Sequence, residues 1–267
     1  MFRIAKHLMN RAKTDAVDVS ETNGVRALHL GSPTIQSAMR IRDPNALELT
    51  YTRGMMCFLL FNQNIKDVLA IGLGGGSLAK YMHAYCPEII STVVEINPNI
   101  IQVARNQFYV PENDARLQVI EGDGLQYLAE HAGNADVLLI DAFDSNGIPP
   151  DFCSQDFFDL AQRALNNAGI FAINLWGSDR NFDVYLQRIE QSFQQKVLIL
   201  RTGRPGNIVV FGFKGLYKYF NIPQLQVRAK LLESTHRIEF NQFLKQLIDD
   251  NIVQHNQLQF KRDDSDA

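Results

Sequence analysis

Three cysteines in 267 residues, Cys57, Cys86 and Cys153, are too few and too scattered for a disulfide framework or a zinc site, both of which use close, paired spacings. They read as reduced, mostly buried thiols. No run of 18 apolar residues occurs, so no bilayer span is expected. The basic opening MFRIAKHLMNRAK is not followed by an apolar stretch of signal-peptide length. Histidine is sparse, and no pair has metal-ligand spacing, so no metal is proposed. An excess of one charge is also missing. The net charge is −3 without a block of like charges, which leaves no electrostatic footprint for nucleic acid. A small-molecule partner and a cytoplasmic location are the default expectations. What remains is 46% apolar, 21% charged and 10% aromatic, which excludes fibrous and disordered classes and leaves one large domain with additions.

After a polar tail to about residue 22, RALHL (26–30) and TIQSAMRI (34–41) read as a β-hairpin around Gly31-Ser32-Pro33. Residues 45–61 carry Leu47, Met55, Phe58 and Leu59 at helical spacing behind Asn45, which predicts one amphipathic helix. From residue 67 strands and helices alternate. The strand signals are VLAIG (68–72), STVVEI (91–96), RLQVIEG (116–122), ADVLLID (135–141) and GIFAINLW (169–176). The helices between them span 75–85, 98–108 behind Asn97 and Pro98, LQYLAEH, and Ser154 to Leu165 with Gly169 as the stop. A helix over 182–194 precedes KVLILRT and NIVVFGF, which lie too close for a crossover and must be antiparallel neighbours. Almost continuously apolar strands alternating with helices indicate a mostly parallel sheet covered on both faces. The expectation is an α/β protein in three parts. A tail, hairpin and linking helix (1–64) precede a seven-stranded, doubly wound Rossmann-like domain (65–215), and a helical extension with a polar tail (216–267) follows.

In such a sheet the ligand sits outside the carboxyl ends of the strands, where strand order reverses. The first strand ends in Gly72-Leu73-Gly74-Gly75-Gly76-Ser77, where missing side chains open the backbone at a helix N-terminus to a ligand; the plain alternative is a tight turn. Glu95 ends the second strand, where a carboxylate commonly accepts ribose hydroxyls. Asp123 and Gly124 follow the third strand in EGDG. Asp141 ends the fourth, with Asp144 close behind in DAFDSNGIPP. A carboxylate after VLLI is costly to desolvate unless it has partners or a task, which singles out Asp141, although capping of local amides is an alternative. Ordinary turn chemistry is the alternative for Asp144. The third glycine of a dinucleotide fingerprint would fall at Ser77, so that match is incomplete. Asp123 together with Asp141 suits a single nucleoside.

The order and spacing of RALHLGSPTIQSAMR, the Tyr51 segment, AIGLGGG, VVEINP, EGDGLQYL and LLIDAFD resemble the spermidine synthase family, the polyamine aminopropyltransferases, from Arg26 to Phe213. The resemblance implies the S-adenosylmethionine-dependent methyltransferase fold. It implies a group donor, decarboxylated or intact S-adenosylmethionine, an amine acceptor such as putrescine, and a homodimer. By position it puts Gln36, Gly72, Gly74, Gly76 and Gly124 at the nucleoside, Glu95 on the ribose hydroxyls and Asp123 on the adenine amino group. Asp141 becomes the acid facing the attacking amine, with Tyr51 and Asp144 in the substrate wall.

Three positions depart from the family pattern. Gly75 replaces an aspartate expected at the donor's amino end, and Thr52 and Arg53 stand where His or Gln and then Glu are usual. An inward-pointing Arg53 would repel a cationic diamine, and Arg53→Glu would then improve diamine activity. Two rivals keep the same fold. One is a methyltransferase using intact S-adenosylmethionine, with Arg53 serving an anionic acceptor or the methionine carboxylate. The other is a non-catalytic nucleoside-binding sensor or scaffold.

Overall fold

A computed structural model describes residues 16–143, 147–203 and 206–260. Asp144 with Ser145 and Asn146, Arg204 and Pro205, the first fifteen residues and the last seven lie outside them. The expected hairpin is present as β2 (Val25–Leu30) and β3 (Ile35–Arg40), but a further antiparallel strand, β1 (Val17–Thr22), pairs with β2. The sequence hides β1 because only Val17 and Val19 pack inward and the rest of VDVSET is exposed polar surface.

The single helix expected over 45–61 is two, α1 (Thr50–Met55) and α2 (Phe58–Phe61). Asn45 is not its cap, since the residue before α1 is Leu49, which makes no side-chain cap bond. Between them Met56, Cys57, Leu59 and Leu60 donate to carbonyls three residues back, a tightening that breaks the regular ladder. The segment tolerates the break because it is buried on all sides: Gly54 through Phe61 lie in the core, so no amphipathic stripe has to be kept in phase. Burying each Phe or Leu of α2 is worth about 1.5–3 kcal/mol.

The main sheet follows the predicted alternation. Its elements are β4 (Asp67–Ile71), α3 (Ser77–Tyr85), β5 (Ile90–Glu95), α4 (Pro98–Phe108), β6 (Leu117–Glu121), α5 (Gly124–Glu130), β7 (Ala135–Ile140), α6 (Gln155–Ala164), β8 (Leu165–Trp176), α7 (Phe182–Ser192), β9 (Val197–Arg201) and β10 (Asn207–Phe213). Strand order is β6-β5-β4-β7-β8-β10-β9, and β10 runs antiparallel to both its neighbours. The expected caps form: Asn97 accepts from Asn99 N at 3.0 Å, and Ser154 accepts from Phe157 N at 3.1 Å. Gly169 does not stop α6, which ends at Ala164. It lies inside β8 at a register shift, where a Cβ would meet Leu165 Cβ at 2.7 Å and Ala135 O at 3.1 Å. Apolar clusters cover both faces of the sheet, and all three cysteines are buried and unpaired.

The helical stretch expected over 222–250 is α8 (Ile222–His236) and α9 (Phe240–Asp250), parted by Arg237 at φ 55°. Three short strands, β11 (Tyr219–Asn221), β12 (Ile252–Gln254) and β13 (Gln257–Gln259), form a small sheet beside them. Gln259 and Phe260 are therefore not solvated tail, and the Phe260 ring packs on Phe213 and Phe220. No helix among the described residues is long and apolar enough to cross a membrane.

Two contacts fix α1 over the sheet. Gly54 lets it approach β9 and β10 closely, since a Cβ there would lie 2.6 Å from Thr202 Cγ2. Arg53 donates through Nε to both oxygens of Glu239 at 2.9 and 3.0 Å and through Nη1 to the carbonyls of Leu47 and Glu48, tying α1 to the start of α9. Arg53→Glu sets two carboxylates against each other and should lower the unfolding free energy by about 2 kcal/mol or more. Adding Glu239→Arg should restore most of it in urea titrations, and no loss in the single variant would refute the tie.

Candidate active site

The order of the sheet reverses between β4 and β7, and their carboxyl ends meet the cavity. Asp141 N donates to Ile71 O at 3.1 Å, which brings the chain after β7 against Gly72. Gly72 has φ +94°, and a Cβ on it would stand 2.4 Å from the Asp141 carbonyl oxygen, so only glycine fits. A cavity of about 140 Å³ opens here, lined among others by Gln36, Tyr51, Gly72, Gly74, Glu95, Asp123, Gly124 and Asp141. Nearly every candidate among the described residues thus meets one space. Gly76 does not line it. Its bareness answers a packing demand, because a Cβ would come 2.2 Å from Val110 Cγ2.

Each acid is held differently. Asp141, half-buried at the end of VLLI, accepts from the Tyr51 hydroxyl at Oδ2 (3.2 Å) and from Asn174 Nδ2 at Oδ1 (3.1 Å). Burial pushes its carboxyl up to about 6, against the lowering effect of those two hydrogen bonds. Tyr51 is driven well above its ordinary range by burial and by the adjacent Asp141, so it stays a protonated donor. Its hydroxyl also lies 3.3 Å from the Gln36 carbonyl oxygen, joining the wall to β3.

Glu95 is 5% exposed and accepts from Leu73 N (2.9 Å) and Asn97 N (2.8 Å), one at each oxygen. Burial raises its carboxyl while those backbone amides, with Ile96 and Gly74, pull it back. Asp123 caps α5 through Oδ1, which accepts from Leu125 and Gln126, while no donor among the described residues reaches Oδ2. Capping and ligand binding are thus compatible in one carboxylate.

A family model described as the spermine/spermidine synthase domain matches residues 48–199. The polyamine aminopropyltransferase of Chromobacterium violaceum is 38% identical over 231 residues, 86% of this chain and 88% of that protein. The chain belongs to the spermine/spermidine synthase family. Among solved structures, human methyltransferase-like protein 13 in complex with SAH is 27% identical and gives a TM-score of 0.65 over 71% of this chain and 93% of that one. A probable spermidine synthase from Corynebacterium glutamicum gives 0.69 over 93% and 97% at 18% identity, which establishes the common fold.

The three departures from the family pattern have structural accounts. Arg53 does not line the cavity; it is engaged by Glu239 and by the carbonyls of Leu47 and Glu48. Arg53→Glu is therefore not expected to improve diamine activity. Thr52 lines the cavity but spends its hydroxyl on Leu49 O at 2.7 Å. Gly75 has no room for a carboxylate, because a Cβ would lie 2.8 Å from both Phe108 Cδ1 and Ser37 Oγ. Ser37 fills that place from β3, and its hydroxyl pairs with Ser77 Oγ at 3.2 Å.

Asn174 is the residue that sequence patterns did not single out. Its signal is present, as the one polar side chain inside GIFAINLW, but only the fold shows that it faces Asp141. Trp176 instead stacks on Phe143, with centroids 5.6 Å apart, outside the main cavity.

A folded carboxyl titrating near 6 above an ordinary 3.8 means that ionising Asp141 costs stability once pH rises through about 6, a cost absent below 3.8. Asn at this position can still accept from Asn174 and donate to the Tyr51 oxygen. Asp141→Asn should therefore be more stable than wild type near neutral pH by about 1–3 kcal/mol, with the advantage gone near pH 4. Melting curves at the two pH values check this, and an advantage that ignores pH would contradict it.

Proposed function

We propose that this protein transfers an aminopropyl group from decarboxylated S-adenosylmethionine to a primary amine such as putrescine. The carrying observation is the sign of the charge in the cavity. Glu95, Asp123, Asp141 and Asp151 line it, and no Lys, Arg or His does among the described residues. A sulfonium donor ending in an ammonium group and a cationic amine both suit such a wall. The carboxylate of intact S-adenosylmethionine has no partner there, which weighs against methyl transfer.

Glu95 takes the ribose hydroxyls, its oxygens held by the Leu73 and Asn97 amides with lone pairs to spare. Asp123 takes the adenine amino group through Oδ2, Gln36, Gly72, Gly74 and Gly124 close the nucleoside side, and Tyr51 with Asp144 borders the acceptor. The donor is already activated, and the amine nitrogen bonds to the carbon beside sulfur as the carbon–sulfur bond breaks and a neutral thioether leaves. What the chain supplies is position and a place for the proton. The amine must lose a proton, since its ammonium form has no lone pair and an ordinary pKa near ~10. Asp141 receives that proton, and a carboxyl raised to about 6 is a better base than an ordinary aspartate while still ionised near neutral pH. Tyr51 donates to Oδ2 and fixes the rotamer. In solution we take the protein as a cytoplasmic homodimer acting on small molecules, a state that light scattering checks.

The test is turnover with each sulfonium donor and a panel of diamines. Methylthioadenosine and an aminopropylated amine are the expected products from the decarboxylated donor alone. A methylated acceptor and S-adenosylhomocysteine from the intact donor would overturn the proposal. Glu95→Ala should weaken binding of the thioether nucleoside by about tenfold or more in calorimetry, because it strips the acceptor from the ribose hydroxyls.

A further inference from the structure

Behind Asp141 lies a buried chain of two amides that the reaction outlined above does not use. Asn174 on β8 is 2% exposed, and Asn207 at the start of β10 is 7% exposed. Asn174 Nδ2 donates to Asp141 Oδ1 at 3.1 Å, and Asn207 Nδ2 donates to Asn174 Oδ1 at 2.9 Å. Asn207 is itself anchored, since its carbonyl accepts from Thr202 N at 3.1 Å and Thr202 Oγ1 at 2.9 Å across the turn between β9 and β10.

The direction of this chain is fixed by chemistry. An ionised carboxylate only accepts, so it requires the NH₂ end of Asn174, whose oxygen must then face a donor, and Asn207 provides one. If Asn174 swung round, its oxygen would meet Asp141 Oδ1 without a proton between them, and its NH₂ would meet the NH₂ of Asn207. Both mismatches would be buried.

We propose that Asn174, oriented by Asn207, is a positioning residue for Asp141, holding the carboxylate in its ionised form through Oδ1 so that Oδ2 is left to the Tyr51 hydroxyl and the acceptor amine. This rests on Asp141 being the acid that receives the amine's proton. The other groups around Asp141 are few. Tyr51 from α1 is the titratable group in contact with it, Glu95, Asp123 and Asp151 line the same cavity, β4 offers the Ile71 carbonyl, and the loop after it offers Gly72. Among the described residues no Lys, Arg or His pairs with Asp141, and Asp144 in its own loop lies outside them. Among the described residues Asn174 is therefore one of two side chains that stabilise the charged form, and the other, Tyr51, binds the opposite oxygen.

The test is the pH profile of kcat/KM for the amine in wild type, Asn174→Leu, Asn174→Asp and Asn207→Leu, with the Kd of the thioether nucleoside measured alongside. Loss of one charge-assisted hydrogen bond in Asn174→Leu should move the midpoint of the acid limb upward by about one pH unit. Asn174→Asp should move it further, because two adjacent carboxylates share a proton. Asn207→Leu, which frees the Asn174 amide without touching Asp141, should move it the same way by less. The nucleoside Kd should stay within about twofold of wild type in all three, since Asn174 lies behind Asp141 and away from Glu95 and Asp123. A uniform fall in rate at every pH, with the midpoint unmoved, would overturn the proposal by reducing Asn174 to packing. Should Asn174→Leu not fold, Asn174→Asp and Asn207→Leu decide by the same midpoint. Asp141→Asn run in parallel separates the two claims. Full turnover in that variant removes the role given to Asp141, whereas an inactive Asp141→Asn beside unmoved midpoints removes only the role given to Asn174.

Discussion

A carboxylate that follows four fully buried apolar residues is the constraint around which this molecule is arranged. Val137 through Ile140 are fully buried, and the next residue is Asp141. Its charge is tolerable only with donors brought from elsewhere, Tyr51 from a helix that precedes the sheet and Asn174 from the neighbouring strand. Bringing Tyr51 within reach requires α1 to lie close on β9 and β10, which Gly54 permits and the Arg53–Glu239 pair secures. A line of dependence thus runs from the site to a C-terminal helix that takes no part in lining the cavity.

The sign of the cavity wall follows from the same arrangement. Acids that end or follow β5, β6 and β7 give the wall one sign of charge, which favours cationic ligands. Nearby cations are engaged elsewhere: Arg53 with Glu239, and Lys80, 1% exposed, with the carbonyl of Phe108. Burial lowers the Lys80 amine to about 8, so this cation is held at some cost and serves to close the end of α4. The glycine at position 75 belongs to the same packing, with Phe108 and Ser37 filling the space that a carboxylate would need.

How much of this the sequence discloses depends on how far apart the partners lie. The strands of the main sheet are legible because they are apolar on both faces, and Asn97 and Ser154 announce their helices by local cap chemistry. The acids are legible because each ends a strand. Strand β1 is not, since it buries only two valines, and neither is the break between α1 and α2, where burial on every side erases the helical period. Arg53 could not be oriented without Glu239, a partner 186 residues away. Asn174 is a lone polar residue in an apolar strand, and its role depends on Asp141 after β7 and Asn207 on β10. Gly76 misled in the opposite way, as a glycine within a binding loop whose bareness Val110 demands.

The position of Tyr51 has an evolutionary consequence. The floor of the cavity is built on loops that follow β4, β5, β6 and β7, whereas Tyr51 and the β3 segment overhang it from a part of the chain that precedes the sheet altogether. Floor and overhang are separate stretches of gene. Substitutions in the leading segment reshape one wall of the cavity and act on the loops beneath through the Tyr51–Asp141 hydrogen bond. One sheet paired with different leading segments can thus present different cavity walls, which suits a fold shared with a methyltransferase and a probable spermidine synthase.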